Sequence, residues 1–362
     1  MEKNSSSHKK ITGRRRFLKQ MTAGTSGLLS GSLYQPGKSS SMGRYGTKDS
    51  RVSFVTGTDT RDATYRALKP LEKEIVNAIG NKQVVIKANV GEVLEEFPRC
   101  GTDVNQLRGV LDFLKPVYDR KVIIAEGTAN KPVNILVEFE KIDYLPLLKE
   151  YNIEFIDNND LPFTPRWILD ATGHPLKINI TASFLDPNIY MISATRLKTH
   201  SSVIVTLSLK NMTMGSPVHH YKSTAKDKNE KAKMHSGDNR GLSYNMFLLA
   251  TMSVQPDLAV LDGVEGIEGN GPWHGTPIYQ GVALASTDWL AADRLGVELM
   301  GVDYNEVKYL TWCGEAGIGE DNLSKIKIVG PDYRKHIVKY KLYEHIDQTR
   351  AWIYEDAKKA RQ

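Results

Sequence analysis

Five places in the chain put chemically capable side chains directly after short apolar runs. Lys87 and Asn89 follow the run at 84–86, and Glu126-Gly127 follows 122–125. Arg196, Lys198 and His200 come after 189–193, Lys210-Asn211 after 203–207, and Asp262-Gly263 after 258–261. Lysines at such positions are flexible point charges suited to gripping a carboxylate or phosphate. Gathered in one hollow they repel each other unless an anion or an acidic side chain balances them. Glu126 and Asp262 are the candidates for that balance. Lys87, Asn89, Lys198, Lys210 and Asn211 are therefore read as binding a small anionic ligand, and His200, Glu126 and Asp262 as catalytic. An imidazole titrating near its ordinary ~6.5 suits His200 to general acid and base work.

A second reading is metal chemistry. His200, His235 and Asp262 supply the donor types of a divalent site for zinc, iron, nickel or manganese. Their spacing matches no established metal motif, since His-Glu-x-x-His is absent. Two cysteines, Cys100 and Cys313, are too few for a zinc ribbon or an iron–sulfur cluster, so no iron–sulfur cluster is expected. They are read as buried free thiols, with one disulfide as the alternative. The glycine-dense run from Asp262 to Thr276 includes Gly269-Asn270-Gly271 and three carboxylates, Asp262, Glu265 and Glu268. It is read as a loop able to cradle an anion with its amides. It lacks the order of either glycine-rich nucleotide-binding fingerprint. No Gly-x-Ser-x-Gly elbow offers a nucleophile. Asp288 reads as a helix cap, and Asp293 as a residue that could face the cleft.

The elements that would position these groups alternate. Strands are expected at 52–55, 84–88, 122–125, 153–156, 258–261 and 282–285. Helices are expected from Leu68 to Ile79 with a kink or late start at Pro70, and over 104–114, 145–149, 244–252 and after Asp288. The expected fold is α/β, a mixed and largely parallel sheet with helices on both faces. Closely spaced strands at 176–180, 189–193 and 203–207 add an antiparallel piece or a second lobe. The polar, lysine-rich stretch 219–240 reads as a long surface loop or flap, and 333–360 as a charged amphipathic helix or helix pair.

Several of these residues form a recognisable series. Lys87-x-Asn89, Lys198-Thr199-His200, Ser208-Leu209-Lys210-Asn211, Asp262-Gly263 and Gly269-Asn270-Gly271-Pro272 occur in this order. Together they resemble the family called domain of unknown function 362, over roughly residues 84–330. The resemblance implies a catalytic-type α/β body whose reaction is unsettled. Some members carry cysteine-rich ferredoxin modules, and this chain has no such module, so electron transfer is not carried over. A more distant likeness runs to the amino-terminal part of lactate racemase-type proteins.

The first residues carry another signal. Arg14-Arg15-Arg16-Phe17-Leu18-Lys19 resembles the twin-arginine export pattern, and a Gly/Ala/Ser-rich, mildly apolar run follows it over 21–33. The expected organisation is a signal and linker at 1–50, a body at 51–330 and a helical tail at 331–362. Expected partners are the twin-arginine export machinery and a small anionic ligand, with a periplasmic or exported location. The formal charge is +6, with much of the excess in the first residues and at the end of the chain, which argues against nucleic-acid binding. No stretch approaches the ~20 apolar residues of a membrane span. The function expected is an enzyme acting on a small anionic substrate. The alternatives are a periplasmic protein that captures such an anion or a cofactor without transforming it, and a partner in cofactor handling.

Overall fold

Val- and Ile-rich runs buried on both faces define the centre of the molecule, as parallel strands covered by helices on each side require. The computed structural model of the chain describes residues 50–224 and 229–359. The twin-arginine pattern, the linker before residue 50, and Lys226 and Lys228 of the lysine-rich stretch lie outside the described residues.

In chain order the strands are β1 (Arg51–Thr56), β2 (Gln83–Lys87), β3 (Val122–Glu126), β4 (Ile153–Asp157), β5 (Phe163–Leu169), β6 (Pro175–Thr181), β7 (Ile189–His200), β8 (Ile204–Thr206), β9 (Leu258–Asn270), β10 (His274–Ser286) and β11 (Lys327–Val329). The α-helices are α1 (Thr60–Leu68), α2 (Glu72–Ile79), α3 (Val104–Leu114), α4 (Ile135–Lys141), α5 (Leu147–Glu150), α6 (Ser208–Gly215), α7 (Glu230–Lys233), α8 (Asp238–Thr251), α9 (Trp289–Leu299), α10 (Lys308–Glu315) and α11 (Ile346–Lys359). Nine strands form one sheet in the order β11-β1-β10-β9-β7-β2-β3-β4, with β8 paired to the end of β7. Strands β9, β7, β2, β3 and β4 are mutually parallel, while β10 and β8 run against their neighbours. β5 and β6 make a separate antiparallel pair. The fold is thus mixed α/β with a mostly parallel sheet. The described residues all fall in one compact unit, so the added strands do not build a second lobe.

Helices cover both faces. On one face, Leu68, Leu71, Ile75, Leu107, Val110 and Phe113 join Val84, Ile86, Ile124, Ile192 and Val260 in a single core cluster. On the other, α9 lies close against the sheet at Gly296, where a Cβ would meet Leu261 at 3.2 Å and Leu197 at 3.3 Å. The predicted helix around Pro70 is two helices, α1 and α2, joined by a 3-10 turn at Lys69–Leu71. Proline cannot donate the bond that would carry α1 onward. α1 was hidden from the apolar pattern because its inward face is small: Ala63, Thr64 and Ala67 are fully buried. That smallness lets α3 approach so closely that a Cβ on Gly109 would sit 2.5 Å from the Arg61 carbonyl oxygen.

Two expectations are corrected near the site. The stretch 219–240 is not simply a surface loop, because α7 and the start of α8 lie within it, and His219, Glu230 and Lys231 are buried. The glycine-dense run is mostly strand, since β9 continues to Asn270 and pairs with β10 across a long hairpin. Four of its five glycines, Gly263, Gly266, Gly271 and Gly275, stand where a Cβ would collide with a neighbour. A Cβ on Gly263 would meet Leu197 at 2.6 Å, and one on Gly266 would meet the Tyr340 hydroxyl at 2.0 Å. The tail is also less helical than predicted. A 3-10 turn at Tyr333–His336 gives way to irregular chain before α11. There Lys341 pairs with β9, its N–H donating to Glu268 Oε2 at 2.8 Å and its carbonyl accepting from Gly269 at 2.7 Å. A Gly266→Ala substitution is expected to push Tyr340 off the hairpin and cost about 1–3 kcal/mol. The urea unfolding midpoint measures this, and an unchanged midpoint would mean the tail is not held at this contact.

Candidate functional site

Ligands of open α/β sheets bind beyond the carboxyl ends of the strands. Here β2 ends at Lys87, β3 at Glu126 and β7 at His200, and these ends open onto a cavity of about 300 Å³. Its wall contains Lys87, Asn89, Glu126, Lys198, His200, Lys210, Asn211 and His235. Residues drawn from β2, β3, β7 and α6 therefore do meet. Lys231 of α7 joins them, as do Pro272 and Trp273 from the β9–β10 turn.

α6 brings Lys210 and Asn211 to the wall. Its first amides have no cap from its own sequence; instead the Asp293 carboxylate, from α9, accepts from Ser208 N–H at 2.8 Å and Leu209 N–H at 2.9 Å. Asp293 therefore does not face the cleft but anchors the helix that does. Burial pushes its pKa up to about 7, against the pull of those two amides. Asp288 caps α9, accepting from Leu290 and Ala291 N–H.

A polar relay crosses the cavity floor. Glu126 Oε1 pairs with Lys87 Nζ at 2.7 Å, and the two Glu126 oxygens also accept from Val90 and Gly127 N–H, each at 2.8 Å. Lys87 donates onward to the Ala88 carbonyl and to Asn211 Oδ1 at 3.1 Å. Asn211 Oδ1 also accepts from Asn89 Nδ2 at 3.1 Å, and Asn89 Oδ1 accepts from Lys198 Nζ at 2.9 Å. Asn211 Nδ2 is spent as well, on the Lys87 carbonyl and Ser193 Oγ, both at 3.0 Å. Asn211 thus clamps α6 to β2 and β7 instead of reaching for a ligand.

An ammonium carries three donors. Lys87 has three acceptors: Glu126, Ala88 and Asn211. Lys198 has two, Asn89 Oδ1 and the Cys100 carbonyl. Lys231 has the Gly127 carbonyl at 3.1 Å. Lys210 has none among the described residues, although it is only 9% exposed. Burial, reinforced by the other lysines, lowers its pKa to about 7. Burial likewise lowers Lys198 and Lys231, each to about 8. It lowers Lys87 too, with Glu126 opposing. Four lysines share the wall with one carboxylate, Glu126.

His200 does not keep the ordinary imidazole titration expected of it. Burial first, then the charges of Lys210 and Lys198, hold it well below the usual imidazole range, so the ring is neutral at physiological pH. Its Nδ1 accepts from Ser202 N–H at 3.0 Å, which places the ring proton on Nε2. His200 is therefore a neutral donor. His235 is exposed at the mouth, where partial desolvation and then the Lys210 charge lower its pKa.

Asp262 stands apart from this group. Alternation along β9 places it with Val260 and Val264 on the α1–α3 face of the sheet, beside Arg196 in register, and it is not in the cavity wall. Burial outweighs Arg196 there and raises its pKa to about 7. The His200, His235 and Asp262 triad does not assemble, and the described residues hold no group of three or more His, Cys, Asp or Glu placed to bind a metal ion. Glu265 pairs with Arg196 at 3.0 Å, and Glu268 is taken by the tail. The Gly269-Asn270-Gly271 amides do not form an anion cradle. Gly269 N–H donates to Lys341, Gly271 N–H to Gly269, and the Asn270 side chain binds Glu344. The following residues Pro272 and Trp273 supply wall instead. Cys100 and Cys313 are both free and buried. Lys231 was passed over because its setting among other lysines and polar residues reads as a solvated face. The spacing in Lys231 to His235, one helical turn, was the signal that could have paired them.

No helix among the described residues is long and apolar enough to cross a membrane. A thylakoid-associated protein of Synechocystis is 26% identical over 168 residues, which is 45% of this chain and 47% of that protein. The chain thus spans about half the length of that curated relative. The lactate racemase apoprotein from Thermoanaerobacterium thermosaccharolyticum overlaps 65% of this chain and 54% of its own, with a TM-score of 0.38 and 14% identity. That overlap is too partial to bear on chemistry. Residues 84–298, more than half of the sequence and all of the cavity wall's strand ends, match the family described as Domain of unknown function (DUF362), and the chain belongs to it.

Proposed function

We propose that this protein is an enzyme that binds a small organic anion in the lysine-lined cavity and transforms it by proton transfer. The observation that carries the reading is the unbalanced charge of the wall, with Lys210 buried and lacking any acceptor among the described residues. Such a group is costly to keep unless a ligand uses it. Lys231 and Lys198 hold the anionic end with their remaining donors. Lys210, close to neutrality at pH 7, accepts a proton from the carbon or oxygen next to that end. His200 Nε2–H stabilises the charge that develops on the substrate. The carboxylate of Glu126 keeps Lys87 charged and the floor in place.

Anion affinity should fall as pH rises, because Lys210, Lys198 and Lys231 lose their protons near pH 7 to 8. Titration calorimetry with small carboxylates is expected to show a drop of roughly tenfold or more between about pH 6.5 and 9. A flat profile would remove the lysines from binding. A screen for turnover with the bound carboxylates then separates the enzyme from a protein that only captures its ligand: unchanged ligand after prolonged incubation would favour capture.

Export through the twin-arginine route remains part of this proposal. Its support is the Arg14-Arg15 pattern ahead of a mildly apolar run. A reporter fused after residue 50 should leave the bacterial cytoplasm, and should stay inside when Arg14 and Arg15 are both changed to Lys.

A further inference from the structure

Among the four wall lysines, the donor count singles out one amine. Lys87, Lys198 and Lys231 are each held by at least one protein oxygen, whereas Lys210 meets none among the described residues and lines the cavity. It sits in the first turn of α6, where the Asp293 carboxylate is already engaged by the Ser208 and Leu209 amides. Three further cations surround it, the setting in which a buried lysine gives up its proton and becomes a nucleophile. The cavity offers about 300 Å³, room for a small molecule with one anionic end.

We propose that Lys210 forms an imine with the carbonyl carbon of a small oxo acid whose carboxylate is held by Lys231 and Lys198. The proposal deepens the reading above and rests on it: the cavity must first hold an organic anion. In the step, the Lys210 Nζ lone pair attacks the carbonyl carbon and the C=O bond becomes a C–OH. The two protons of the neutral amine pass to that oxygen, which leaves as water, and a C=N bond to Nζ remains. Nothing is oxidised or reduced. His200 Nε2–H is the donor on the same wall that can polarise the carbonyl oxygen. The imine then acts as the electron sink that makes a neighbouring C–H or C–C bond labile.

The full-length protein is incubated with pyruvate, glyoxylate or 2-oxoglutarate and sodium cyanoborohydride, then analysed by intact mass and peptide mapping. The expected result is one reduced adduct per chain from at least one of these acids, on Lys210. Acetate, which has no reactive carbonyl, should slow its formation without labelling. Lys210→Arg keeps the charge but cannot form the imine and should give no adduct. Lys210→Gln, which keeps polarity in less volume, covers the case in which arginine does not fit. An adduct on Lys231 or Lys198, or labels scattered over surface lysines, overturns the assignment to Lys210. No adduct from any of the three acids, while the same acids raise the melting temperature, overturns the imine and leaves the anion-binding reading standing. No adduct and no shift with any of these anions, acetate included, overturns both.

Discussion

Lys210→Met is expected to raise the stability of the protein and to weaken anion binding. The two effects come from one cause. A buried ammonium without an acceptor costs folding free energy, and methionine fills nearly the same volume without a charge. Replacing even a paired set of buried charges by apolar groups of similar size is often neutral or stabilising by about 1–4 kcal/mol, and Lys210 has no ion pair to lose among the described residues. The pH dependence gives the sign independently. The folded-state pKa of Lys210, about 7, lies below its ordinary value of 10.5. The unfolded chain therefore binds the proton more tightly. The penalty is fully present below about pH 7 and fades as pH rises from there toward 10.5, so this residue makes wild-type stability climb over that interval. Lys210→Met should flatten that climb, as urea unfolding at a series of pH values would show. Binding of small carboxylates should weaken at least roughly tenfold, which corresponds to about 1.4 kcal/mol. A destabilised Lys210→Met would mean that the amine has a structural partner.

Glu126→Gln is expected to be the most damaging single change in the site. The Lys87–Glu126 pair is buried on both sides, at 1% and 3% side-chain exposure. Removing one charge leaves the other uncompensated, a loss of about 3–5 kcal/mol. The damage should spread, because Lys87 also fixes Asn211, and Asn211 ties α6 to β2 and β7. Lys87 has little room to move, since a Cβ on Gly215 would already lie 2.4 Å from its Cε. The double variant Lys87→Met with Glu126→Gln should recover much of the lost stability, measured by the denaturation midpoint. If it fares no better than Glu126→Gln alone, the pair is not the source of the loss.

The strands that carry the site were legible in the sequence. β2 and β3 are dense apolar runs, and the polar residue that ends each, Lys87 or Glu126, is the signal that the strand has reached the cavity. α3 was legible in full, because Leu107, Val110, Leu111 and Leu114 repeat with helical period and Asp103 caps it. β7 was read too short. Beyond Ser193 it continues through Thr195, Arg196, Lys198 and His200, polar side chains that a strand ending in a pocket can bury, but that period-2 hydrophobicity cannot reveal. For the same reason Lys231 resembled a solvated loop lysine, and β9 resembled a loop because its glycines yield space to Leu197 and Tyr340. Asp262 was grouped with the site on its position after an apolar run. Which face of a strand a residue takes depends on which helices cover it, and β9 points Asp262 toward α1 and α3. Long-range partners such as Asp293 for α6 leave no local trace, since the two lie 85 residues apart.

Anion binding here requires a cavity whose wall carries more positive than negative charge. Iodide is a direct probe, because it seeks unneutralised cations and its anomalous scattering marks its position. Crystals of the protein grown or soaked in iodide should show a peak within hydrogen-bonding distance of Lys210 Nζ, inside the wall formed by Lys198, His200 and Lys231. Iodide peaks confined to the outer surface, with none in the cavity, would contradict an anion site there.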